Sequence, residues 1–179
     1  MKLLQAALIA GALALPVHSL SAQADVDWPR VALGGAGASL ETPCAAQDVA
    51  VQGEPMARSL ICQTQDVRVT LTLLPKSMTI LPIAPGTSFD EAVEYLRELP
   101  TTRYATETTL DGNPAFRTEG TDGSSAVGVM MADLGDDRLL TLLVTAAPTA
   151  SDDQEVSAVF VRAADSLRLR PADETEGAE

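Results

Sequence analysis

Histidine is nearly absent from this chain. The one present, His18, lies in an N-terminal stretch that reads as a segment removed on export. Without it there is no Ser-His-Asp triad, no Cys-His pair and no histidine-ligated metal. Aromatic residues are only 3%, too few for a platform on which bases or sugars could stack. Basic residues are scarce as well. Twelve Lys and Arg stand against 25 Asp and Glu, a net charge of −13. A chain so acidic does not hold a nucleic-acid backbone or an anionic membrane by bulk charge. Long hydrophobic runs are missing too. The longest, Leu3 to Leu15, has roughly 13 residues against the ~20 needed to cross a bilayer.

What is present points to one packed domain. The chain has 179 residues, 46% of them hydrophobic and 21% charged, enough apolar material for a core. Residues 1–24 read as a secretory signal peptide: Lys2, then the apolar run, then Pro16, then Ala22-Gln23-Ala24 as the cleavage pattern. A retained anchor is the rival reading, and no cysteine follows the run to carry a lipid. Cleavage would leave 25 acidic against 11 basic residues, with a location in the periplasm or outside the cell. Cys44 and Cys62 both survive cleavage. An even count in an exported chain predicts a disulfide, worth about 3 kcal/mol by loop-closure entropy. A redox pair is the alternative, although no C-x-x-C occurs.

Residues 25–37, with Gly34-Gly35-Ala36-Gly37, are expected to form a flexible arm anchored by Trp28. The glycines lack the G-K-[ST] ending of a phosphate loop. Strands are expected at Ala38 to Thr42 and Ala57 to Gln63, while residues 45–54 are ambiguous. Val67, Val69, Leu71 and Leu73 alternate with Arg68, Thr70 and Thr72, a strand that ends at Pro75. Residues 75–87 form a proline-rich connector. Ser88 and Glu91 make a capping box for a helix with Phe89, Ala92, Val93 and Leu96 on its apolar stripe, stopped at Leu99-Pro100. Four strands follow: Arg103 to Leu110, Ala115 to Glu119, Ser125 to Ala132 and Arg138 to Ala146. The last is apolar on both faces, which places it centrally. A second helix is expected from Ser151, with Val156, Val159, Phe160, Ala163, Ala164 and Leu167 inward. Residues 171–179 read as an acidic disordered tail. The domain proper is thus residues 38–170, an α+β fold with a mostly antiparallel sheet flanked by helices.

Four segments in this order resemble the PsbP-like fold, a set of photosystem II extrinsic proteins, a nuclear Ran-binding release factor and exported bacterial proteins of unassigned role. They are SLETP at 39–43, VRVTLTLLP at 67–75, TLDGNPAFRTEG at 109–120, and RLLTLLVTA at 138–146 followed by VFVRAADSLRL at 159–169. The resemblance implies an α/β/α sandwich, used mostly for binding or assembly. It transfers no metal site, because no residue here matches one, and an exported chain would not meet a nuclear partner.

Candidate sites are few. Asp111, Gly112, Asn113 and Pro114 form a tight turn that could serve as a recognition loop. Asp133, Asp136 and Asp137 share a loop that could offer oxygens to calcium, without EF-hand spacing. Glu91, Glu94 and Glu98 make an acidic helix face. Ser124 and Ser125 lack a G-x-S-x-G context, and Lys76, the one lysine beyond residue 24, sits in no S-x-x-K. The expectation is a non-catalytic binding or accessory protein without cofactor or metal, monomeric, meeting a periplasmic protein by a sheet edge, the connector or the 111–114 turn. A carboxylate-dependent hydrolase and a carrier of a lipid or small apolar ligand are the alternatives.

Overall fold

A computed structural model describes residues 27–34, 37–54, 56–78, 87–122, 125–135, 137–147 and 153–169. The expected signal peptide, the tail from residue 171, most of the connector, Ser124, Asp136 and Ser151 lie outside these residues. The described strands are β1 (Arg30–Ala32), β2 (Ala38–Glu41), β3 (Ala50–Glu54), β4 (Ala57–Gln63), β5 (Val67–Pro75), β6 (Thr102–Leu110), β7 (Asn113–Asp122), β8 (Ser125–Asp133), β9 (Arg138–Ala146) and β10 (Arg168–Leu169). The helices are α1 (Phe89–Glu98) and α2 (Asp153–Ser166). A seven-stranded antiparallel sheet runs β3-β4-β5-β9-β8-β7-β6, and a second sheet runs β1-β2-β10. The α+β architecture matches the expected layering.

Strand β9 sits fourth of the seven, as its doubly apolar pattern requires. Leu140, Leu142 and Val144 join the larger core with α2 and the small sheet, while Leu139 and Leu143 face α1. The alternation puts α1 on one face of the sheet and α2 with the small sheet on the other. On the α2 side, Val156, Val159, Phe160, Ala163, Ala164 and Leu167 are all buried against Leu60, Leu71, Leu73 and Leu142. On the α1 side, Ala92, Val93 and Leu96 close over Phe116, Val129 and Met131.

Local signals hold where the chemistry is short-range. The Ser88 hydroxyl accepts from Glu91 N–H at 3.3 Å, and the Glu91 carboxylate accepts from Ser88 N–H at 2.9 Å. Both halves of the capping box are made. The backbone and hydroxyl bonds from Ser88 hold the Glu91 carboxyl below its usual range. Asp111 and Gly112, at φ 47° and 84°, turn β6 into β7, which is the left-handed pair a two-residue hairpin needs.

One expectation is corrected. The stretch read as a flexible arm carries β1, in register with β2 from Arg30↔Glu41 to Ala32↔Ser39, and Leu33 beyond it is fully buried. Three residues are too short to show a period, so only the partner strand reveals them. Trp28 does anchor this segment: the Arg162 guanidinium lies 4.4 Å from its ring centroid. The ambiguous residues 45–54 resolve into a 3-10 turn at Ala46–Asp48 and strand β3.

Candidate functional site

The cysteines form the expected bridge. Cys44 and Cys62 are joined with their Cα atoms 5.7 Å apart, and both are buried. The bridge ties the segment before the 3-10 turn to β4 and encloses β3.

The 111–114 turn is held by its own polar groups. The Asp111 carboxylate accepts the Leu169 N–H of β10 at 2.6 Å. The Asn113 amide donates to Leu110 O at 3.2 Å and to Asp111 O at 3.4 Å. A Cβ at Gly112 would meet nothing within 4 Å, and Pro114 lies exposed opposite Thr109. The turn therefore docks the last strand onto the large sheet while presenting Gly112 and Pro114 outward.

The Asp133–Asp137 loop closes on the lysine. Lys76 Nζ lies 2.8 Å from Asp133 Oδ1, its backbone N–H donates to Asp137 O at 2.7 Å, and Gly135 N–H donates to the Asp133 carboxylate at 2.9 Å. Burial alone would raise the Asp133 carboxyl, but the Lys76 ammonium and the Gly135 N–H together hold it below the usual carboxylate range. Its contribution to stability is complete above the unfolded carboxyl value and is lost as pH falls through the lower folded one. Lys76→Met should remove about 1 kcal/mol at neutral pH. It should also flatten the acid limb of the stability profile, read from urea midpoints between neutral pH and pH 3. An unchanged acid limb would assign that stability to other groups.

The acidic helix face is divided in the same way. Glu91 caps its helix, and Arg97 bridges Glu94 at 3.0 Å and Glu107 of β6 at 2.5 Å. Glu98 stays exposed. Among the described residues, no group of three or more His, Cys, Asp or Glu could hold a metal ion, and no helix is long and apolar enough to cross a membrane.

A surface that sequence spacing did not reveal lies over α2. An open depression of about 810 Å³ is lined by Arg30, Glu41, Ala158, Val161, Arg162 and Arg168, among others. Arg30 and Arg162 share the Glu41 carboxylate at 3.4 and 3.6 Å. Arg30 also donates to Ser166 O at 2.9 Å, and Arg168 donates to Asp165 O at 2.7 Å, so both guanidinium groups cap the carbonyl end of α2. Arg117 reaches Asp165 at 2.7 Å. Arg30–Ser166 and Arg162–Glu41 each join the first strands to α2 across most of the chain, beyond the reach of any local motif.

No family model matches this chain, and no curated protein sequence matches it. Among solved structures it is similar to the Saccharomyces cerevisiae Ran-binding protein Mog1p, at 10% identity and a TM-score of 0.45, over 82% of this chain and 97% of that one. It is similar to a Pseudomonas aeruginosa protein of unknown function at 15% identity and a TM-score of 0.41, over 80% and 98%. It is also similar to LpqN, involved in cell envelope biogenesis of Mycobacterium tuberculosis, at 18% identity and a TM-score of 0.42, over 81% and 91%. At that distance the functional reading rests on the chain's own geometry.

Proposed function

We propose that this chain is an exported, non-catalytic binding or accessory protein of the PsbP-like type, which acts through its surface on a protein with a basic or polar face. One observation carries the reading: among the described residues, several surface acids pair with bases and backbone donors from other elements instead of with one another. Lys76–Asp133, Arg97–Glu107, Arg117–Asp165 and Leu169–Asp111 each join two separate parts of the fold. A hydrolase working through carboxylates needs one carboxyl raised to act as an acid; Glu91 and Asp133 are both held low. A carrier needs an enclosed apolar cavity. Here the space between sheet and α2 is filled by Leu60, Leu71, Leu142 and Phe160, and the depression over α2 is open and rimmed by paired charges.

The net charge of −13 steers a cationic partner over a range set by the ionic strength. Two measurements test the reading together. The mass of the chain recovered from a secreting host should correspond to loss of residues 1–24. Association of the purified protein with its partner from the same compartment should slow several-fold from low to high salt. Turnover of a soluble substrate by the purified protein, or an association rate indifferent to salt, would count against it.

A further inference from the structure

The two edges of the large sheet are treated differently by the sequence. At one end β6 is guarded. Its register shifts between Thr102 and Tyr104, it carries Arg103 and Glu107, and α1 leans over it through Arg97–Glu107 and a bond from the Thr102 hydroxyl to Leu96 O at 2.7 Å. Irregular pairing, charge and a covering helix are the devices by which proteins keep an edge from adding strands.

At the other end β3 shows no register shift and no basic residue, and its one charge is Glu54 at its last position. It pairs with β4 over five consecutive residues without a shift, Ala50↔Ile61 to Glu54↔Ala57. All five of its residues are exposed, and the strand AVQGE holds no Lys, Arg or Pro. Val51 is 45% exposed and Met56, at the hairpin end, 60%. Among the described strands its one neighbour within the sheet is β4, so a row of backbone N–H and C=O groups faces away from it.

Resting on the accessory reading above, we infer that the outer edge of β3 is the docking site, and that its occupant is an extended, lysine- or arginine-bearing segment of another protein that adds to the sheet as an eighth strand. Main-chain ladder bonds supply the affinity. Charge selects the partner: Asp48 and Glu54 flank the strand at either end, and no basic residue occurs between residues 45 and 57. The same arrangement disfavours a second copy. In an antiparallel self-pairing about Gln52, Glu54 of one copy falls opposite Ala50 of the other, close to its Asp48, at both ends of the ladder, between two chains each at −13. A cationic strand meets opposite charge at the same points.

The probe is a short synthetic peptide alternating valine and lysine, labelled for fluorescence anisotropy, with an otherwise identical peptide N-methylated at alternate residues. The full chain should bind the first and lose about tenfold or more in affinity for the second, because N-methylation removes ladder donors while keeping the charge. Hydrogen exchange should slow within residues 50–54 on binding. Val51→Lys places a cation on the unguarded edge and should weaken binding about tenfold; Glu54→Gln should weaken it about twofold to threefold. Tyr104→Lys, on the opposite edge, should leave it within about twofold. Val51 and Tyr104 are both exposed, so each variant should keep the parent circular dichroism. Equal binding of the methylated peptide, equal loss in Val51→Lys and Tyr104→Lys, or protection confined to another strand would overturn the inference. So would a concentration-dependent doubling of mass that Val51→Lys abolishes, since a second copy would then be the occupant. A natural partner captured equally well by Val51→Lys would overturn β3 docking and leave the accessory reading standing; loss of salt-dependent association altogether would overturn both.

Discussion

Gly128→Ala should destabilise the protein by about 3 kcal/mol, the upper end of what an added methyl costs in a packed interior. Gly128 lies on β8 beneath α2. A Cβ there would stand 2.3 Å from Cγ of Phe160 and 2.7 Å from each of its Cδ atoms. No side-chain Cβ approaches carbon so closely, and the ring has little room to yield. Phe160 is fully buried, and the Arg117 guanidinium lies 5.5 Å from its centroid. Relief requires α2 to lift from the sheet. Phe160→Ala alone should cost about 3–5 kcal/mol through the cavity it leaves. The combination of Gly128→Ala with Phe160→Leu should cost clearly less than the two single changes together, because the smaller side chain vacates the methyl's place. Urea midpoints, with slopes compared to the parent, check this. A Gly128→Ala chain within about 0.5 kcal/mol of the parent would mean that helix and sheet adjust freely, against the packing described.

Opening the Cys44–Cys62 bridge should have an effect of similar size, about 3 kcal/mol for a closed segment of this length. It should act unevenly. The bridge encloses β3, whose exposed residues contribute little burial and which, among the described strands, pairs with β4. Local opening is least costly where few apolar contacts are lost. With reductant, or in the Cys44→Ala, Cys62→Ala double variant, amide exchange over residues 46–54 should accelerate well before the central strands β5 and β9 respond. Equal protection of β3 and β9 after reduction would show that the hairpin is held by something other than its staple. If β3 is the docking edge, reduction should also weaken peptide binding, by disordering the template and leaving its charge unchanged.

The legible parts of the fold are those whose cause lies within one or two turns of chain. The Ser88–Glu91 box, the Asp111-Gly112 reversal and the doubly apolar pattern of β9 each carry their explanation in adjacent residues. The illegible parts depend on a partner far away. Strand β1 is three residues whose only reason to extend is β2, and β10 is two residues held by β2 and by the Asp111 carboxylate. The arginines over α2 have the same character: Arg30 finds Ser166, and Arg162 finds Glu41 and Trp28. Alternation also understates burial when both faces are covered. Thr72 and Thr141 lie on the α1-side face of the sheet, opposite one another, yet are buried, and Thr72 is satisfied by the Ser59 hydroxyl at 3.2 Å. The candidate surface was the least legible part, because an unguarded edge is defined by what the opposite edge possesses.

The small sheet joins the beginning of the domain to its end. Strand β2 is flanked on one side by β1 and on the other by β10. Arg168 pairs with Ser39 and Leu169 with Ala38, so the last two described residues close a ladder whose other members lie near the start of the domain. A chain lacking residues 168–169 would leave Ala38 and Ser39 without their β10 neighbours and forfeit that closure.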